Sequence, residues 1–75
     1  MKELLNVIVK NLVDNKEAIK ITEIEENDVT ILELIVSDDD VGKVIGKQGK
    51  IAKAIRTVIK SCASYQNKKV IVKIL

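Results

Sequence analysis

Apolar residues recur near the start of the chain at helical spacing: Leu4, Leu5, Ile8, Val9, Leu12 and Val13. Steps of three and four residues place them on one face, so the pattern predicts an amphipathic helix over 2–14 that ends at Asp14-Asn15. The period then changes. Over 17–25, Ile19, Ile21 and Ile24 stand among polar residues, and 29–36 is the β-branched run Val29-Thr30-Ile31-Leu32-Glu33-Leu34-Ile35-Val36. Both segments read as strands of a hairpin, joined by a turn at Glu26-Asn27-Asp28. Ser37 and Asp38 offer N-cap oxygens to a short helix over residues 39–45, which Gly46 cuts off. From Lys50 to Ser64, Ile51, Ala54, Ile55, Val58, Ile59 and Cys62 fall on one face of a second long helix, with Lys50, Lys53, Thr57 and Lys60 on the other. Val70 to Ile74 closes the chain as a third strand. The predicted order is α-β-β-α-α-β, an α+β fold with helices packed on one face of a three-stranded mixed sheet.

Composition fits this reading and limits it. Seventy-five residues, 47% of them apolar, make a single domain over 1–75 with one small core. A core of that size contributes only about 3–5 kcal/mol, so pairing with a partner is a natural route to added stability. No apolar run has the length of a signal peptide or a membrane span, and a cytoplasmic protein is expected. Cys62 is the only cysteine and there is no histidine, which removes internal disulfides, Cys-His catalysis and Cys/His zinc sites; Cys62 is expected in the core.

Charge adds a direction. The net charge is only +2, yet residues 1–40 hold four basic and eleven acidic side chains while residues 41–75 hold nine basic and none acidic. The second half can therefore present a face of one sign. All three glycines, Gly42, Gly46 and Gly49, lie at its start, and two of them frame Lys47-Gln48 just before the basic helix. Glycine lets a phosphate approach the backbone, and the following helix N-terminus offers unpaired N–H groups with a favourable dipole. Such a loop suits a phosphate backbone. A P-loop does not fit: three residues rather than four separate Gly42 from Gly46, and Gln48 stands where a magnesium-holding Ser or Thr is needed. With no carboxylate dyad in the basic half either, an enzyme is not expected. Asp38-Asp39-Asp40 is read as helix capping and dipole compensation, without a metal, and no cofactor is implied.

The order of elements and Val44-Ile45-Gly46-Lys47-Gln48-Gly49 between two helices resemble a KH domain, and the leading helix and strand resemble its type II, bacterial form. More narrowly, residues 39–56 resemble the small single-domain KH RNA-binding proteins of bacteria, the KhpA family. One position departs: many KH domains carry a large aliphatic residue three places after the second loop glycine, where this chain has Ala52 preceded by Ile51, a change that brings the helix closer to the loop. The resemblance implies a GxxG loop that clamps about four nucleotides of single-stranded RNA, with bases in an apolar groove. Gly46 and Gly49 map onto the loop and Lys47 and Gln48 project from it. Lys43, Lys50 and Lys53 are assigned to phosphates. Arg56 either joins them or pairs with an acidic residue of the hairpin. Val44 and Ile45 either floor the groove or belong to the core, and Ile31 to Val36 are candidates for its far wall.

Aromatic residues amount to 1% of the chain, Tyr65 alone, so no stacking platform of the kind that contributes about 1–3 kcal/mol per base is available. Isolated binding is expected to be weak and to gain from pairing two domains. The resemblance implies an RNA chaperone or post-transcriptional regulator acting as a homodimer, or as a heterodimer with a second KH-containing protein of the KhpB type. The other reading is an assembly or scaffold protein, for example in ribosome assembly, that works through protein contacts. An exposed sheet edge, the first helix and the helix over 50–64 all qualify as the dimer surface.

Overall fold

A computed structural model describes residues 1–75. Helix α1 spans Lys2–Lys10, strand β1 Lys20–Glu26, strand β2 Val29–Ile35, helix α2 Val41–Ile45, helix α3 Lys50–Tyr65 and strand β3 Lys69–Ile74. The sheet order is β1-β2-β3, with β1 antiparallel and β3 parallel to β2. This is the expected α+β architecture of type II KH order. The parallel pair requires the chain to cross from β2 to β3 over one face of the sheet, and α2 and α3 make that crossover.

One face of the sheet is buried and the other is open. Ile21, Leu32, Leu34 and Val72 point toward the helices, where Leu5, Val9, Val44, Ile55 and Ile59 meet them in one continuous core. The alternate residues Ile24, Ile31 and Ile71 line up across the three strands on the open face, beside the Glu33 and Lys73 pair. On α3 the buried positions are Ala52, Ile55, Ile59 and Ala63, which repeat every three or four residues. Ala54 and Val58, expected with them, are instead exposed, because the apolar stripe of α3 is wider than the sheet can cover. Cys62 sits half-buried at the margin while Ala63 takes the core position expected of it.

Element boundaries moved where side chains compete with the backbone. Helix α1 stops at Lys10 rather than Asp14, as the Asn11 side chain donates to the Val7 carbonyl at 2.7 Å and the chain tightens into a turn that still buries Val13. A 3₁₀ turn over Lys16–Ala18 replaces the expected start of β1. The hairpin closes at Asn27 and Asp28, both with positive φ, the backbone that a two-residue turn between twisted strands requires. At the end of α3, Asn67 takes the left-handed conformation usually filled by glycine, and Lys68 N–H returns to the Ala63 carbonyl at 3.0 Å.

Candidate nucleic-acid interface

Helix α2 ends where Gly46 adopts φ 74° and ψ 177°, a conformation open almost only to glycine. A Cβ added there would lie 2.6 Å from Cγ1 of Ile51, so the loop closes directly against the first turn of α3. Gly49, at φ 74° and ψ 17°, is left-handed and has nothing within 4 Å of where a Cβ would stand. The two glycines thus differ in kind. The first is needed for packing and backbone shape, the second leaves an open surface. Between them Gln48 is also left-handed, at φ 57°, and Lys47 and Gln48 are both exposed. Gly49 is the N-cap of the sixteen-residue α3 and no side chain caps that end; Lys50 N–H donates to the Lys47 carbonyl, and the positive end of the helix lies beside the exposed Lys50 and Lys53.

Behind this loop, α3 and β3 enclose an open groove of about 630 Å³. Its walls are Lys53, Arg56, Thr57 and Lys60 from α3 and Lys69 to Val72 from β3, with Val29 at one end. Lys53, Arg56, Lys60 and Lys69 are its charged residues, all cationic. Arg56 donates from Nε to the Val72 carbonyl at 3.4 Å, so it is anchored on the sheet edge and does not pair with an acid of the hairpin. The far wall also differs from the expected one. Strand β2 is central and turns Leu32 and Leu34 into the core, with Val36 buried just beyond its end, which leaves the groove edge to β3.

Three further expectations are corrected. Val44 is fully buried and belongs to the core, while Ile45 is half-buried beside the loop. Lys43 is committed elsewhere: its ammonium pairs with Asp14 and lies 3.5 Å from Asp40. Neither Ser37 nor Asp40 caps a helix through its side chain. Asp40 is only 2% exposed and its carboxylate accepts the backbone N–H groups of Asp14 at 3.3 Å and Asn15 at 3.0 Å, tying the end of the α1 turn to the base of α2. The Asn15 hydrogen bond, helped by Asp14 and Lys43 against the cost of burial, holds its pKa below the ordinary aspartate value. Lys43 is held above its ordinary value, first by its bond to Asp14 and then by Asp40. Asp38 and Asp39 remain exposed.

Sequence reasoning placed the loop and the lysines beside it but missed Lys69, Val70 and Val72 as groove residues. The signal for them was the topology: a last strand parallel to a central one must lie at an edge, next to the helix that precedes it.

A family model described as KhpA/KhpB, KH domain, matches residues 2–74. The chain belongs to the KhpA/KhpB KH-domain family. It is 56% identical over 75 residues to the RNA-binding protein KhpA of Clostridium perfringens, and 53% identical over 75 residues to that of Clostridium acetobutylicum, in both cases over the full length of both chains. The RNA-binding protein KhpA of Aquifex aeolicus is 41% identical over all of this chain and 95% of its own. Among solved structures, the Era protein of Aquifex aeolicus bound to GDP and aluminium fluoride superimposes with a TM-score of 0.64 over 96% of this chain and 28% of that one. At 17% identity that likeness carries the fold alone.

Proposed function

We propose that this chain binds single-stranded RNA, with the backbone crossing the Gly46–Gly49 loop and bases entering the groove between α3 and β3. The observation that carries this reading is the junction of three features at one place: an uncapped helix N-terminus, an open glycine, and a groove whose charged residues are all basic. Gly46, Lys47, Gln48 and Gly49 form the clamp, with Lys50, Lys53 and Arg56 as the flanking cations. Ile45 adds an apolar contact beside the loop. Lys43 holds the scaffold instead of a phosphate, and Val44 supports the loop from within the core. About four nucleotides fit such a clamp. The chain acts as an RNA chaperone or post-transcriptional regulator in the cytoplasm, and as a binding protein rather than an enzyme. The names of its relatives in Clostridium perfringens and Clostridium acetobutylicum, both called RNA-binding proteins, support the RNA reading over a purely scaffolding one.

Pairing belongs to the same reading. Leu4, Ile8 and Leu12 of the first helical segment and Ile51, Ala54 and Val58 of α3 border a second groove of about 420 Å³ with almost no polar surface. This strip is the surface on which a second copy, or a KhpB-type KH chain, packs. Two loops carried on one dimer raise avidity without new contacts, which offsets the lack of aromatic stacking.

The phosphate clamp has a thermodynamic signature. Three or four neutralised phosphates give log K falling with log salt at a slope of about −2 to −3, at roughly −0.7 per contact on a single strand. Titrating a labelled oligonucleotide between low and physiological salt measures it. A flat dependence excludes the clamp.

A further inference from the structure

We propose that the open face of the sheet is a second, weaker self-association surface, on which another copy of this chain packs sheet to sheet. The strand register sets that face out in rows: Glu26, Val29 and Lys69 in the first, Ile24, Ile31 and Ile71 in the next, then Thr22, Glu33 and Lys73, with Lys20 and Ile35 beyond. A sheet face turned to water is ordinarily polar. Here its middle is a row of isoleucine across all three strands, with Val29 and Ile35 on either side, and Ile71 and Ile35 are 47% and 40% exposed. Strand propensity alone does not call for isoleucine, since threonine serves as well and stands one row away at Thr22.

Charge selects the occupant. A two-fold axis running along β2, midway between two facing sheets, lays β1 of each copy over β3 of the other and keeps every row opposite itself. Glu26 then meets Lys69 of the second copy, twice over, while Ile24 meets Ile71, Ile31 meets Ile31 and Thr22 meets Lys73. Glu33 faces its own counterpart, with Lys73 beside each in the same row to balance it. An axis across the strands instead brings Lys69 onto Lys73 and Glu33 onto Val29. Nucleic acid fits this face poorly, as it has no aromatic ring for a base and turns Glu26 and Glu33 toward any phosphate. Three strands about 4.8 Å apart and four rows about 6.8 Å apart span roughly 400 Å² on each copy, half the share of a standard interface. The contact is therefore weak, with a dissociation constant of order 0.1–1 mM. It leaves the α1–α3 strip free, because that strip lies on the helix layer and this face on the other side of the sheet. Dimers paired at the strip then join face to face; only the number of copies, and not the contact itself, rests on the strip reading.

Sedimentation equilibrium of a Val58→Glu protein reads the face alone, since that substitution disables the strip. Lys69 also borders the α3–β3 groove, so the measurement is made without RNA. The protein is expected to be a monomer at about 10 μM and to associate measurably by about 1 mM. Glu26 and Lys69 are both exposed, and in this background Glu26→Lys or Lys69→Glu each sets like charges opposite one another. Each is expected to keep its circular dichroism spectrum and to stay monomeric through the same range. An equal mixture of the two regains association, because each variant supplies the charge the other lacks; a merely misfolded variant does not recover in this way. Where the strip survives Val58→Glu, the same reversals and the same mixture are read on the step from dimer to tetramer. No association by about 1 mM, or association that neither charge reversal changes, overturns the proposal. Loss in both variants without recovery in the mixture overturns the proposed pairing of β1 with β3.

Discussion

At the scale of single residues, the two loop glycines make opposite demands. Gly46→Ala places a Cβ against Ile51 in a backbone region that other residues avoid, so strain and overpacking add and the fold is expected to lose about 3–5 kcal/mol in a denaturant titration. Gly49→Ala meets only the left-handed penalty, about 1–2 kcal/mol, and Gly49→Asn less than that. Equal losses at the two positions would contradict the assigned geometry. The three consecutive aspartates divide in the same way. Asp40→Ala lowers the melting temperature more than Asp38→Ala or Asp39→Ala, since only Asp40 is buried and accepts backbone N–H groups from a distant segment. Its depressed pKa fixes the sign with pH: the stabilisation is complete above the ordinary aspartate value of 3.8 and is lost as pH falls below that value through the folded-state pKa. Thermal melts of wild type and Asp40→Ala should therefore converge as the pH drops below 3.8 and stay apart at neutral pH. Raised in the folded state, the Lys43 pKa works oppositely: its contribution is present below 10.5 and disappears above it.

At the scale of elements, hydrophobic periodicity marked the long helices and the strands, each with a wet and a dry face, while the short α2 was read from the polar residues before it and the Gly46 that ends it. Boundaries were harder to read. The Asn11 side chain and the Asp40 carboxylate both satisfy backbone groups near the end of α1; the first competes locally with the helix, four residues back, while the second reaches across 25 and 26 residues and does not follow from spacing. The site was legible in part for a related reason. Gly46 to Gly49 announce themselves by residue type, and the basic run of α3 by charge. Lys43 carries the same charge as its neighbours, yet it points to Asp14, 29 residues earlier in the chain, so its role depends on a long-range contact. The same holds for Val70 and Val72, whose place in the groove follows from strand order. Helix α3 also shows why an apolar stripe overstates a core. Ala54 and Val58 continue the stripe past the sheet along the groove beside α1, leaving Val58 45% exposed.

At the scale of the whole molecule, the uneven charge of the chain becomes a division of surfaces. Basic residues of the second half line the loop and the α3–β3 groove, while Glu23, Glu25, Glu26 and Asp28 keep β1 and its turn acidic at the opposite edge of the sheet. The apolar strip between α1 and α3 is a third surface, and its proposed occupant is a second copy. Val58→Glu, an exposed position, is expected to leave the circular dichroism spectrum intact and to convert a dimer into a monomer in sedimentation equilibrium. It should also weaken binding to an RNA with two adjacent sites more than to one with a single site. A variant that stays dimeric moves the pairing surface elsewhere, to a sheet edge or to the open face with Ile24, Ile31 and Ile71.

The central claim is that the Gly46–Gly49 loop holds the RNA backbone, and the double substitution Lys47→Asp with Gln48→Asp tests it most directly. Both side chains are exposed, so the melting temperature and oligomeric state should remain those of wild type. Measured by anisotropy on the same RNA, affinity is expected to fall at least tenfold, as two carboxylates meet the phosphates at the helix N-terminus. Undiminished binding by a folded double variant would contradict the account and leave the chain's function to its protein contacts.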